Sequence, residues 1–289
     1  MNPEFPEFPG LTGLPECAQT VDANEIAALT DWAASLDPGT AAEFGVRTEL
    51  FGTALAVLAP GTETVFFNRV VGLSVLQEPS RTLVHDIADF YRDAGARCMV
   101  HTPASNPDDE LPAWLGEEGM EPQGEWITLR RGTENPPPPD TDLRVRTVGP
   151  SDATSFAETL CTGYGMPDEW APLYEGLVGR PGWRHYMAWD GDLPVATASL
   201  FLHGTSVPHG TSAWCGNSGT LRRYRRRGAH TALSRLRLKD GLAEGASLFT
   251  GETWQQRQRA RPNQSLKNHT RDGWQEVYHR VNYVTATTD

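Results

Sequence analysis

Four consecutive prolines, Pro136 to Pro139, flanked by Asn135 and Asp140, constrain this chain more than any other feature. Each proline removes a backbone donor and fixes φ at about −65°, so the run is a stiff extended segment that no helix or central strand can absorb. The 289 residues divide into 1–134, a connection 135–142, and 143–289, and each long piece can bury a core of its own. Two domains are therefore expected.

Composition narrows the setting. The formal charge of −12 repels nucleic acid and anionic membrane surfaces, so neither is an expected partner unless a local patch overrides it. No stretch approaches the roughly 20 consecutive apolar residues of a membrane helix. The opening MNPEFPEFPGLTGLPE has neither the basic nor the apolar region of a secretory leader, and a cytoplasmic location is expected. Cys17, Cys98, Cys161 and Cys215 stand far apart with no CxxC spacing, which predicts buried free thiols and no metal.

Before the prolines, Asn24 to Leu36, Thr82 to Ala94 and Leu111 to Glu118 have helical spacing, while Ala54 to Leu58, Val65 to Leu73 and Cys98 to His101 read as strands. After them, Leu143 to Val148 predicts a strand, and Ser151 beside Asp152 a helix cap. A second helix is expected over Trp170 to Val178. The apolar runs Trp183 to Trp189 and Pro194 to Leu202 are joined by Asp190, Gly191 and Asp192, which favour a tight hairpin. Strands over Ser212 to Leu221, Ala246 to Glu252 and Val277 to Val284 alternate with helices over His230 to Ala243 and Ser265 to Asp272. This order predicts a mixed sheet with helices on its faces.

The densest chemistry lies in Thr220, Leu221 and the run Arg222 to Thr231, which follows a strand and opens a helix. The first amides of a helix lack intrahelical acceptors and sit at the positive end of its dipole. Together with Gly228, which lets a ligand approach the backbone, they suit a pyrophosphate. Five arginines among the six residues Arg222 to Arg227 add charge and bidentate donors for further phosphate. A solvated basic turn on an acidic protein, or a nucleic-acid patch near Trp214 and Tyr224, would use the same residues.

The stretch YRRRGAHTAL resembles the signature of the GNAT N-acetyltransferases, an Arg or Gln, two residues, Gly, one residue, then Gly or Ala at a helix start. Arg225 and Gly228 match, and His230 stands where a small residue is usual. The tail NQSLKNHTRDGWQEVYHRVNYV is similar to the segment that closes such domains, through Asn263, Ser265, Asn268, Gly273 and Trp274. The resemblance implies acetyl-CoA, or another acyl-CoA, as co-substrate, lying in a V-shaped opening between the strand before the phosphate loop and the strand after its helix. By it, Thr220, Leu221 and Arg222 would pair with pantetheine. Arg225, Arg226, Arg227, Gly228, Ala229, His230 and Thr231 would hold the phosphates, with Asn263 and Asn268 as secondary contacts.

Acyl transfer to an amine needs a base and often an acid for the departing thiolate. Glu252, at the end of a strand that the resemblance places at the cleft, is the expected base. The family's tyrosine acid maps, by counting back from Gly273, onto His269, and Tyr278 is a second candidate. His203 and His209 are weaker loop alternatives.

The first half repeats the outline. FFNRVVGL resembles the family's fourth strand and LPAWLGEEGMEP its last helix, but the segment between Leu73 and Thr82 has no glycine and one basic residue. The chain is thus expected to hold two GNAT-like units of α/β (α+β) class, each a mixed, mostly antiparallel sheet flanked by helices. Only the second would bind cofactor, and the first would pack against it and wall the acceptor pocket. The expected activity is N-acetylation of a small-molecule or amino-acid-like acceptor, and a homodimer is compatible with it. Acetylation of a protein amine, or a non-catalytic acyl-CoA sensor, are the rival readings.

Overall fold

The computed structural model describes Leu14 and residues 17–104, 110–207, 210–255 and 263–286. In the first half, α1 (Ala18–Ala34) and α2 (Pro38–Phe44) precede the hairpin β1 (Arg47–Phe51) and β2 (Ala54–Leu58). Then come β3 (Arg69–Val71), α3 (Arg81–Asp93), β4 (Met99–Pro103), α4 (Leu111–Glu117) and β5 (Met120–Arg131). The second half runs β6 (Arg144–Thr147), α5 (Ala153–Tyr164), α6 (Pro172–Glu175), β7 (Trp183–Asp190), β8 (Leu193–Val207), β9 (Gly210–Gly216), α7 (Ala229–Ala243), β10 (Ala246–Gln255), α8 (Gln264–Arg271) and β11 (Gln275–Thr285).

Local chemistry accounts for several of these boundaries. Asp37 accepts from the amides of Gly39 (2.9 Å) and Thr40 (3.1 Å) and so starts α2, and Gly45, at φ 65°, ends it. The β7–β8 hairpin closes on Gly191 and Asp192, with Gly191 at φ 62°. The expected cap on Ser151 is replaced by a 3-10 turn over Pro150–Asp152, whose Asp152 carboxylate accepts from the Gly149 amide at 3.1 Å. Two apolar runs are shorter as elements than their pattern predicts. Val65 to Asn68 forms turns, Asn68 being fixed to the backbone of Ala59 and Thr64, and Trp170 to Val178 holds only the single turn α6.

The described strands form one sheet in the order β1-β2-β3-β4-β11-β5-β10-β9-β8-β7-β6. Neighbours are antiparallel except β3 with β4 and β9 with β10. Each exception is a parallel pair crossed by one helix, α3 or α7, so the two halves repeat the same unit. They also exchange their last strands: β5 of the first half pairs with β10 of the second, and β11 of the second pairs with β4 of the first. The sheet is mixed and mostly antiparallel as expected, and both halves share it.

Alternation along the strands covers both faces. Met187, Trp189, Phe201 and Trp214 point to the side carrying α1, α5 and α6. Tyr186, Ala188, Leu200 and Ala213 point to the side carrying α7, and β2–β4 bury α3 and α4 on their own cluster. The proline connection is not free. Pro138 O accepts from Arg235 at 2.8 Å, and Thr141 donates to Arg227 O at 2.7 Å, so it lies along the start of α7. Of the four free cysteines, Cys98, Cys161 and Cys215 are buried and Cys17 is only partly so.

Helix α1 is fastened to the sheet by ions. Arg280 on β11, 1% exposed, donates to Asp22 at 2.7 Å and to Glu25, and its Nε donates to Tyr278 Oη at 2.9 Å. Tyr278 in turn donates to Asp22, and Arg69 reaches Glu25 at 3.3 Å. Asn24 donates to Thr250 on β10 at 3.1 Å and accepts from Ser212 on β9 at 2.6 Å. Removing one member of such a buried set strands the others, at a cost on the order of 3–5 kcal/mol. Arg280→Met is expected to lower the free energy of urea unfolding by about that amount; a change below about 1 kcal/mol, the usual worth of a surface pair, would place the cluster in solvent contact.

Candidate active site

Strands β9 and β10 pair in parallel from Thr211 with Ala246 to Trp214 with Thr250 and then part. Beyond that point β10 continues to Gln255 on the edge of β5 alone, while the chain after Gly216 turns away toward α7. Gly216 is required there, because a Cβ would fall 1.8 Å from the Trp214 indole folded over it. A cavity of about 1270 Å³ opens at this split.

One end of the cavity is the start of α7. Gly228 takes φ 80°, and a Cβ there would meet the Asp140 carbonyl at 2.3 Å, so the proline connection presses on the loop from behind. No side chain caps α7, and among the described residues no protein acceptor takes the amides of Ala229, His230 and Thr231. The exposed Arg222, Arg225 and Arg226 line this end, as do Asn263, Asn268 and Arg271. Arg225 is braced by the carbonyls of Thr220 (3.1 Å) and Gly163 (3.3 Å). Arg226 sits at φ 69°, a left-handed conformation uncommon for a side chain of its size. Arg271 donates to Thr231 Oγ1 at 2.9 Å and ties α8 to the helix start. Asn263 caps α8, accepting from Leu266 N at 3.1 Å.

The structure moves two expected cofactor contacts out of this end. Arg227 faces the opposite way, held by Asp142 and by Asp190 at 3.0 Å, and contributes only backbone to the loop. The Leu221 side chain packs into the core beside α7, and its amide already donates to Val195 O at 2.9 Å. Thr220, paired with Ala196, remains on the cavity wall.

In the first half, the equivalent helix start is closed. Ser80 Oγ accepts from Leu83 N at 3.2 Å, so α3 carries its own cap where α7 has none. No basic loop surrounds it.

The other end of the cavity holds Glu252, on the part of β10 that has separated from β9. Its carboxylate accepts from Trp214 Nε1 at 3.1 Å and has no cation partner among the described residues. Burial first, and then the neighbouring Glu25 carboxylate, push its pKa up to about 8, against the pull of Arg280 and Arg69. Such a carboxyl exchanges protons near neutral pH.

The two acid candidates fare differently. Tyr278 is committed to the buried cluster with Asp22 and Arg280 and does not line the cavity. His269 does line it, but burial lowers its pKa to about 4, and its Nδ1 bonds Ser265 O at 2.8 Å. Burial thus favours its neutral form, and the ring packs edge-on between His230 (5.2 Å) and Trp274 (5.1 Å). His230 is likewise kept neutral by burial, its pKa lowered to about 3. His203 stacks on Phe201 away from the cavity, and His209 lies outside the described residues.

Tyr164, which the sequence did not single out, lies between the two ends. Its Oη accepts from Ser218 N at 2.9 Å, and its neighbour Gly163 holds Arg225; the residue is 41% exposed, open to the cavity. The phenol keeps its proton, and among the described residues nothing accepts it. The first half also contributes a wall: Ala28, Leu29, Trp32, Phe66, Phe67 and Arg69 face the cavity. Only the flanking Gly163 and Gly165 at the end of α5 marked Tyr164 in the sequence, and nothing local marked the others.

No protein-family model matches the sequence, and no curated protein matches it. Solved structures do. A GCN5-related N-acetyltransferase from Kribbella flavida aligns at TM-score 0.60 and 15% identity, over 94% of this chain and 96% of the other. One from Sphaerobacter thermophilus aligns at 0.59 and 16%, over 96% of each. A tandem GNAT protein from the clavulanic acid biosynthesis pathway aligns at 0.58 and 15%, over 94% and 95%. The fold is thus that of the GCN5-related N-acetyltransferases, and the likeness extends through both halves.

The loop geometry separates residues that one motif groups together. Gly228→Ala combines a strained φ with a backbone clash and is expected to weaken binding of pyrophosphate, the anion this helix start suits, about tenfold or more by calorimetry. Arg226→Ala should weaken it too, whereas Arg227→Ala, which breaks only exposed pairs, should leave it within about twofold. Equal losses for Arg226 and Arg227 would show that both side chains reach the ligand.

Proposed function

We propose that the protein transfers an acyl group from an acyl-CoA, acetyl-CoA foremost, to the amine of a small molecule. One observation carries this reading: a single cavity joins an uncapped, arginine-flanked helix start to a recessed carboxylate that no described cation reaches at ion-pair distance. The first suits the pyrophosphate of CoA, and the second suits an ammonium. The fold shared with N-acetyltransferases supports the same reaction class. The first-half wall of Trp32, Phe66 and Phe67 favours a small acceptor over a peptide.

In this reading the acceptor enters as an ammonium and pairs with Glu252. Proton transfer to a carboxyl of pKa about 8 frees the amine lone pair, at a smaller cost than transfer to an ordinary carboxylate. The amine attacks the thioester carbonyl, the C–N bond forms, and the C–S bond breaks. Tyr164 gives its proton to the departing thiolate and regains one from the acylated nitrogen, which loses its second proton as the amide forms, while Glu252 releases the first to solvent. The closed cap on α3 supports one CoA per chain, at α7.

Two measurements test the roles. The base works only when deprotonated, so kcat/KM should rise with pH and level off above about 8. Glu252→Gln should remove that limb and lower kcat by about 100-fold or more, read by free-thiol release with an amine panel. An unchanged profile would remove Glu252 from the mechanism. Tyr164→Phe should lower kcat about 10- to 100-fold with little change in KM for the acyl-CoA; an equal rise in KM instead would make Tyr164 a binding residue.

A further inference from the structure

We propose that the acceptor is a primary amine on a flat, uncharged aryl body, with the ring held between the two halves of the chain and the amine at Glu252. The inference rests on the acyl-transfer reading for its ligand class, but its evidence is the wall of the cavity.

That wall is aromatic from both sides. Trp32 and Phe67 of the first half stack at 5.6 Å and 23°, and Phe67 meets Trp170 edge-on at 5.7 Å and Tyr174 at 6.0 Å. Across from them Trp183 meets Trp214 edge-on at 6.1 Å. All six rings line the cavity. Three of the four indoles among these rings spend their N–H groups within the protein, while Trp126 Nε1, elsewhere on the lining, is buried without a partner. Trp32 donates to Leu173 O at 2.6 Å, Trp183 to Asp31 at 2.7 Å, and Trp214 to Glu252 at 3.1 Å.

These three indoles therefore show the ligand carbon and π-faces only. A sugar or polyamine placed there would leave hydroxyls or ammonium groups without partners, which buried polar groups do not tolerate well. An aryl ring loses nothing, and gains offset or edge contacts with each face.

Charge selects the other end of the ligand. Arg69, the cation nearest this wall in the first half, is matched by Glu25 at 3.3 Å and also bonds Phe66 O. Glu252 is left as the carboxyl with no cation partner among the described residues, and its partner Trp214 adds a ring face suited to an ammonium. The arginines that would attract an anion lie at the α7 end, where the pyrophosphate sits in the reading above.

Equilibrium binding to the full chain, saturated with CoA and followed by calorimetry, tests this without requiring turnover. Phenethylamine is expected to bind about tenfold or more tightly than ethanolamine, glucosamine or spermidine, the ratio that burying an aryl ring confers. Phe66→Ala and Trp170→Ala alter half-buried rings, and melting curves verify that the variants are folded. Trp170→Ala should weaken phenethylamine about fivefold and leave glucosamine unchanged. Glucosamine or spermidine binding as tightly as phenethylamine, or folded variants that bind phenethylamine normally, would overturn the proposal. Thiol release run in parallel is read separately. Aryl-amine binding with no transfer would refute the catalytic reading and leave this one standing, and transfer to glucosamine alone would do the reverse.

Discussion

Arg280 is the charge around which the Glu252 end of the cavity is arranged. It sits on β11, fully enclosed, and reaches Asp22 and Glu25 on α1, more than 250 residues away along the chain. A guanidinium cannot shed its proton to escape burial, so the carboxylates that match it must be present and in place. They hold α1 across the sheet, and α1 in turn supplies Trp32 to the cavity. Glu25 also repels Glu252 through the protein interior and helps to keep that carboxyl partly protonated. The same ion set thus shapes the pocket and tunes the group inside it.

The contrast between α3 and α7 shows how little sequence separates a helix start from a ligand site. Ser80 gives α3 an oxygen of its own, and the orphan amides are satisfied internally. Gly228 gives α7 nothing, and the proline connection behind it forbids anything larger. The helix is left with unmet donors that an anion can take. Stability lost at the missing cap is available as binding energy, since an uncapped start costs about 1 kcal/mol.

Features governed by neighbouring residues were legible before the structure. The hairpin on Gly191 and Asp192, the helix expected from His230 and found from Ala229, the limits of β2 and the missing phosphate loop in the first half all follow from local backbone and capping rules. The site was legible where its chemistry is backbone chemistry. It was not legible where side-chain direction decides. Arg227 belongs to the same basic run as Arg226, yet Asp142 and Asp190 draw it to the far side, and no motif encodes that competition. Tyr278 looked like a strand tyrosine near the cleft and is instead spent on Asp22. His269 occupies the expected position but loses its charge to burial. Strand β5 and the aromatic wall of the first half escaped notice because their partners lie in the other half.

The exchange of β5 and β11 has a consequence for how the molecule comes to exist. During synthesis, residues 99–103 emerge long before residues 280–284, which are the strand they pair with. Until then β4 carries an open row of backbone groups, and β5 waits for β10. Such long-range pairing folds slowly and exposes edges to other chains meanwhile. The first half is therefore a scaffold that cannot finish itself: β4 and β5 meet only through β11, so the sheet closes once the last strand of the chain has been made.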